Sequence, residues 1–250
     1  MDGAIFDIDG TLLDSMSMWD HAGEWYLEHS GRKAEPGLGR ILLPMSMEQA
    51  ANYMREQYGL DQTEAEIVKG VEKTVSRYYR EEVLPKPGVK EFLTRLETHG
   101  FQMAAATSSS RTEVEAALSR CGLKPFFKQI FTCTETGAGK DRPDIYYAAL
   151  SCLGTEKIRT WVFEDALYAA ATAKKAGFPV AGVYDEASER DQEELKRISD
   201  YYLKDFNDFP AFFRIASGGG TRVRRRPAFN RSGHRRLQTS GRLGAPPSVA

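Results

Sequence analysis

From residue 85 to residue 183 the chain repeats one pattern, a helical run followed by a short apolar extended run. No other feature limits its fold as much. Helical periodicity over 89–98, 112–119, 143–153 and 167–175 is followed by extended runs at 102–106, 129–132, 160–163 and 180–183. Alternation of this kind predicts a parallel sheet covered by helices. The apolar run 4–6 reads as a further buried strand that ends at Asp7. Between them the pattern is helical only, over 18–29, 47–58 and 63–79, broken by Glu35-Pro36-Gly37-Leu38-Gly39. The expected fold class is α/β. A Rossmann-like, doubly wound core (1–14 and 85–216) would carry an inserted all-α segment (15–84) over its sheet.

A chain of 250 residues with 41% hydrophobic side chains can bury a core of this size. Its formal net charge of −1 hides an asymmetry. Residues 217–250 hold eight arginines and no acid, so 34 less 8 leaves 26 basic against 35 acidic side chains, a balance of −9. An acidic body repels phosphate backbones and argues against nucleic acid as a partner. The tail itself, with Gly218-Gly219-Gly220, an arginine run and Pro246-Pro247, is expected to be disordered. An arm for RNA or an anionic surface is the sharper alternative.

Cys121, Cys133 and Cys152 are odd in number and form no CxxC pair. They read as reduced core thiols of a cytoplasmic protein rather than as a disulfide or zinc site. Residues 1–4 lead straight into the first strand without a basic, apolar leader, and no run approaches the length of a membrane span. Monomer is the default expectation, because no exposed apolar seam is evident.

In open α/β sheets the active site lies beyond the C-terminal ends of the strands. Four such ends carry reactive groups. Asp7-Ile8-Asp9-Gly10-Thr11 places two carboxylates two residues apart. One could attack a phosphoryl group while the other handles a proton, provided their surroundings differ. An EF-hand loop fails, since its turn glycine is Leu12 here and its twelfth residue is Met18. Thr107-Ser108-Ser109-Ser110 offers hydroxyls and free N–H groups ahead of a helix, fit for a phosphate oxygen or for a simple helix cap. Lys140, in Gly137-Ala138-Gly139-Lys140, fails the Walker pattern but could offset charge beside an attacking aspartate. Glu164-Asp165 fits a hard, oxygen-ligand site for Mg²⁺ or merely a helix start.

In that order the four ends resemble the motifs of the haloacid dehalogenase superfamily. They appear as FDIDGTLLDS (6–15), the Thr107 strand end, Lys140 in KDRPDIY, and VFEDALYAAATAKKAG (162–177). The resemblance spans residues 4 to about 210. It implies a Mg²⁺-dependent phosphatase of a small phosphorylated metabolite. Asp7 would be the nucleophile that forms an aspartyl-phosphate, and Asp9 the acid/base. Thr107 and Ser108 would hold phosphate, with Lys140 steadying Asp7 and the phosphoryl group. Mg²⁺ would lie on Asp7, the Asp9 carbonyl and Asp165, supported by Glu164. The helical insertion resembles the family's cap, with hinges near 13–15 and 84–87.

Three departures qualify the resemblance. Ala169 stands where a glycine is usual. Pro44-Met45-Ser46-Met47 replaces a stretch whose arginine grips a second phosphate in the mutases, and Trp19 replaces a cap histidine. The latter two weaken a phosphoglucomutase-like reading and favour a phosphatase. A non-catalytic phosphometabolite-binding protein and a nucleic-acid-associated phosphatase using the tail remain as rival classes. Met16, Met18, Trp19, Met45 and Met47 read either as a substrate-facing apolar cap or, more commonly, as core.

Overall fold

A computed structural model describes residues 2–42, 45 and 47–218, without the side chains of Trp19, Asp20 and Arg40. The arginine-rich stretch from 219 onward, Pro44, Ser46 and the Trp19 side chain therefore lie outside the described residues.

Six parallel strands form one sheet. They are β1 (Gly3–Phe6), β2 (Gln102–Thr107), β3 (Ile130–Thr132), β4 (Thr160–Glu164), β5 (Val180–Val183) and β6 (Tyr201–Leu203), in the order β3-β2-β1-β4-β5-β6. The order reverses between β1 and its neighbour β4, and a crevice opens at such a switch point. Successive side chains point to opposite faces of a strand, and both faces are buried here. Ala4, Phe6, Met103, Ala105, Trp161 and Phe163 face one core, and Ile5, Ala104, Ala106 and Val162 face the other. This two-sided burial explains the unbroken apolar runs in the sequence.

The first core is closed by α5 (Val89–Thr98) and α11 (Phe209–Ala216). Phe92 sits at its centre, with its ring 5.1 to 5.8 Å from those of Phe163, Phe206, Phe209 and Phe212. α6 (Arg111–Arg120) adds Val114, Ala117 and Leu118. The second core is covered by α8 (Asp144–Leu153), α9 (Leu167–Lys175) and α10 (Gln192–Ile198).

The segment between β1 and α5 is helical, as expected: α1 (Ser17–His29), α2 (Leu38–Leu42), α3 (Met47–Tyr58) and α4 (Glu64–Glu81). A capping box formed by Thr63 and Glu66 starts α4, and Ile67, Val71, Val75 and Tyr79 form its buried i, i+4 stripe. α1 and α4 approach closely at Gly70, where an added Cβ would lie 2.3 Å from the Tyr26 ring. The two linkers to the core run side by side. Leu13 bridges Pro85 in antiparallel fashion, Asp14 N–H donates to the Leu84 carbonyl (2.9 Å) and Lys86 N–H to the Leu12 carbonyl (2.9 Å). The Lys86 ammonium pins this junction to the core through the carbonyls of Gly10 and Tyr184, both at 2.5 Å, and Asp185 Oδ2 at 2.7 Å.

The sequence reading stops at 183 and misses β6, α10 and α11. β6 has three residues, two of them half-buried, so it lacks the apolar run that marks the inner strands. α2 and a four-residue helix, α7 (Cys133–Thr136), were also missed, being too short to show a period. The three cysteines are free, as expected, but half-buried rather than core. No described helix is long and apolar enough to cross a membrane.

Phe92→Ala removes the ring on which four others converge. It is expected to lower unfolding free energy by about 3–5 kcal/mol, read from urea unfolding followed by circular dichroism.

Candidate active site

All four reactive strand ends meet at the C-terminal edge of the sheet. Asp7 follows β1, and the chain then coils tightly, with Leu12 and Leu13 N–H both donating to the Ile8 carbonyl (2.9 and 2.8 Å). Gly10 makes the turn possible. Its φ is +79°, and an added Cβ would lie 2.5 Å from Asp165 Oδ2. Thr107 ends β2, and Ser110 caps α6 through the Glu113 N–H. Glu164 ends β4 and Asp165 follows it. Lys140 lies between α7, which stops at left-handed Gly137, and α8.

Lys140 is not the solvent-facing lysine that a loop position suggests; it is 3% exposed. Its ammonium donates to Asp7 Oδ1 and, at 2.8 Å, to Glu164 Oε1. The Tyr146 hydroxyl donates to the same Glu164 oxygen at 2.8 Å. Thr11 Oγ1 donates to Asp165 Oδ1 at 3.0 Å.

Burial opposes the lysine's charge, yet Asp7 and Glu164 together hold its pKa above the ordinary value. Burial is the main cause that pushes the carboxyls up. Asp7 is raised against the pull of Lys140, Glu164 is raised to about 7, and Asp165 is raised well above its usual range with Asp7 and Glu164 adding to the effect. Two of these buried carboxyls share one ammonium, and the third, Asp165, has none against it.

That imbalance fits a further cation. Asp7, Glu164 and Asp165 each offer an oxygen, all within 4.8 Å of one another. Glu164 Oε2 is buried with no hydrogen-bond partner. A hard, all-oxygen donor set suits a divalent cation of the Mg²⁺, Ca²⁺ or Mn²⁺ kind.

Asp9 lives in different surroundings. Its Oδ1 accepts from Ser15 Oγ at 2.7 Å and from the Tyr79 hydroxyl at 2.6 Å. Its Oδ2 accepts from Ser109 Oγ at 2.7 Å and from Thr107 Oγ1 at 3.4 Å. The Asp9 side chain is thus outside the acidic cluster, which leaves only its main-chain carbonyl in the role the sequence reading gave it at a metal. Thr107 is fully buried; its hydroxyl faces Asp9 and accepts from Ser109 N–H at 3.0 Å. Ser108, Ser109 and Ser110 line the cavity.

Sequence reasoning missed Ser15, Tyr79 and Tyr146 as site residues. Ser15 closes the first motif and Tyr79 closes the stripe of α4. Tyr146 ends KDRPDIY, so Ser15 and Tyr146 lay inside motifs whose roles were given to other residues, and Tyr79 inside a run read only as helix.

A cavity of about 690 Å³ opens over these groups, a size suited to a small ligand. The inserted helices contribute Met47, Glu72, Val75 and Tyr79, and the first linker contributes Met16. The expectation for the methionines divides: Met16 and Met47 face the cavity, whereas Met18 is fully buried in the core. Ala169 is also fully buried, in keeping with a packing role.

Over residues 4–183 the chain matches the haloacid dehalogenase-like hydrolases, and it belongs to that family. A phosphorylated carbohydrates phosphatase of Thermotoga maritima is 27% identical over 177 residues, covering 71% of this chain and 82% of the relative. A validoxylamine A 7'-phosphate phosphatase of Streptomyces hygroscopicus subsp. limoneus is 27% identical over 224 residues, covering 82% and 94%. Among solved structures, a candidate beta-phosphoglucomutase of Thermotoga maritima has a TM-score of 0.74 at 24% identity, covering 86% of this chain and 99% of that one. That last likeness bears on the fold alone.

Gly10→Ala would force a side chain into the left-handed region, at about 1–2 kcal/mol, and press on Asp165. The melting midpoint is expected to fall by roughly 2–8 °C, measured by differential scanning fluorimetry. An unchanged midpoint would contradict this account of the turn.

Proposed function

We propose that this protein is a Mg²⁺-dependent phosphatase of small phosphate monoesters that works through an aspartyl-phosphate on Asp7. The observation that carries the reading is the contrast between two carboxylates two residues apart. Asp7 is paired with a buried ammonium, whereas Asp9 is ringed by hydroxyls. A nucleophile must be ionised and a proton carrier must exchange protons, and different surroundings separate those roles.

In the proposed reaction an Asp7 carboxylate oxygen attacks phosphorus and the bond to the ester oxygen breaks. Asp9 gives its proton to the departing oxygen. Asp9 then takes a proton from a water that attacks the same phosphorus. The Asp7–phosphorus link breaks, releasing inorganic phosphate and restoring the Asp7 carboxylate beside an Asp9 that again carries its proton. Splitting the hydrolysis in this way replaces one hard step by two easier ones. Lys140 holds Asp7 in place and offsets the charge of an approaching phosphoryl group. Ser108 and the N–H groups ahead of α6 are suited to phosphate oxygens, with Thr107 setting the loop. Mg²⁺ would be held by Asp7, Asp165 and the Asp9 carbonyl, with Glu164 beside them, and would neutralise phosphoryl charge.

Residues 15–84 serve as the cap that encloses the substrate, swinging on the paired linkers. Lys140 is the only cationic side chain lining the cavity among the described residues, and Glu72 and Glu113 add negative charge. This supports a neutral leaving group, such as a polyol or sugar alcohol, over a second phosphate, and so a hydrolase over a bisphosphate-dependent mutase. Three free cysteines fit a reducing, cytoplasmic setting.

Phosphate release from an aryl phosphate and a panel of sugar phosphates is expected to need Mg²⁺, stop with EDTA and fall at least about 10²-fold in Asp7→Asn. No release from any ester by the folded wild type would overturn the reading. Across the same panel, kcat/KM for a hexose monophosphate should exceed that for its bisphosphate by about tenfold, the effect of roughly 1.4 kcal/mol of like-charge repulsion. Preference for the bisphosphate would restore the mutase.

A further inference from the structure

We infer that Tyr79, the last buried residue of the α4 stripe, is a positioning residue that holds Asp9 for proton transfer to the leaving group. The inference rests on the assignment of Asp9 as acid/base. Tyr79 is 1% exposed, and its hydroxyl donates to Asp9 Oδ1 at 2.6 Å. If the position served packing alone, phenylalanine would fill it. A buried phenol needs a polar partner, and the partner here is a reacting carboxylate rather than a main-chain carbonyl.

The geometry explains why one more hydroxyl matters. A carboxylate turns readily about its terminal bond, which has broad, two-fold preferences. Asp9 is fixed because donors reach both of its oxygens from separate segments. Ser15 comes from the first linker, Tyr79 from the inserted helices, and Thr107 and Ser109 from the end of β2. Tyr79 is the donor supplied by the inserted helices. Tyr79 and Ser15 converge on one Asp9 oxygen and Ser109 and Thr107 on the other, so the phenol completes the ring of donors around the carboxylate. When Asp9 carries its proton, a hydroxyl in this ring can turn from donor to acceptor without moving its oxygen.

The test is the dependence on leaving group. An aryl phosphate such as p-nitrophenyl phosphate expels a stable anion and needs little help from an acid, whereas an alkyl phosphate such as a hexose phosphate needs a proton as its bond breaks. The ratio kcat/KM covers events up to transfer of the phosphoryl group to Asp7. Tyr79→Phe is expected to lower kcat/KM about 10- to 10²-fold for the alkyl ester, part of the 10²–10⁴ that a placed acid contributes. For the aryl ester the change should be less than about threefold on the same basis. An equal loss on both esters, or no loss on either, overturns the inference.

Asp9→Asn, measured alongside, should show a larger version of the same split. If it shows none, the acid/base assignment of Asp9 fails. If it does and Tyr79→Phe does not, only the role of Tyr79 fails. Ser15→Ala removes the other donor to the same oxygen and should give the same selective loss. It carries the test should Tyr79→Phe fail to fold.

Discussion

The site depends on one buried ammonium among carboxylates that would otherwise repel one another. Lys140 touches Asp7 and Glu164 directly, and the second oxygen of Glu164 stays unpaired. Isolated buried charge is costly, so Asp7, Glu164 and Asp165 can stay ionised together at the sheet edge only with cations supplied. The lysine supplies one and leaves room for another. The surrounding architecture serves this arrangement. Parallel β1 and β4 bring Asp7 beside Glu164 and Asp165, a four-residue helix and a left-handed glycine aim Lys140 inward, and Gly10 leaves space for Asp165.

The same strand end produces two chemically distinct carboxylates. Alternation along an extended strand would put residues two apart on one side, in similar surroundings. The tight turn after Phe6 ends that regularity. Asp7 enters the ionic cluster, while Asp9 enters a ring of neutral hydroxyls. The difference arises from backbone geometry, before any substrate is present.

Much of this was legible in the sequence. The alternation of periods marked four of the six strands and a sheet covered by helices, and the apolar run at 4–6 marked a fifth. The carboxylates and the serine run were legible because they follow strand ends, and Lys140 because its loop follows β3 and α7 in the order of the motifs. Three things were not. β6 is too short to carry a pattern. Thr107 reads as a phosphate ligand, and nothing local shows that its hydroxyl also lies 3.4 Å from Asp9 Oδ2. Tyr79 fell at the right spacing for a core stripe, and its second role depends on how α4 crosses the site, which local periodicity does not encode. Ser15 and Tyr146 were hidden likewise inside motifs whose acidic residues drew the attention.

The pairing of the two linkers has a consequence for how the chain can vary. Leu13 and Pro85 lie side by side although roughly seventy residues separate them, and β1 pairs with β2 across a still longer stretch of chain. Forming the core therefore requires closing a long loop, which slows folding. The equilibrium cost of that closure grows only logarithmically, by about 0.6 kcal/mol for each doubling of length. Residues can be added to the turns between the inserted helices at little loop-closure cost, because both ends of the insert return to the same place. Evolution can thus reshape the part of the insert that meets the substrate, so long as Tyr79 keeps its place beside Asp9.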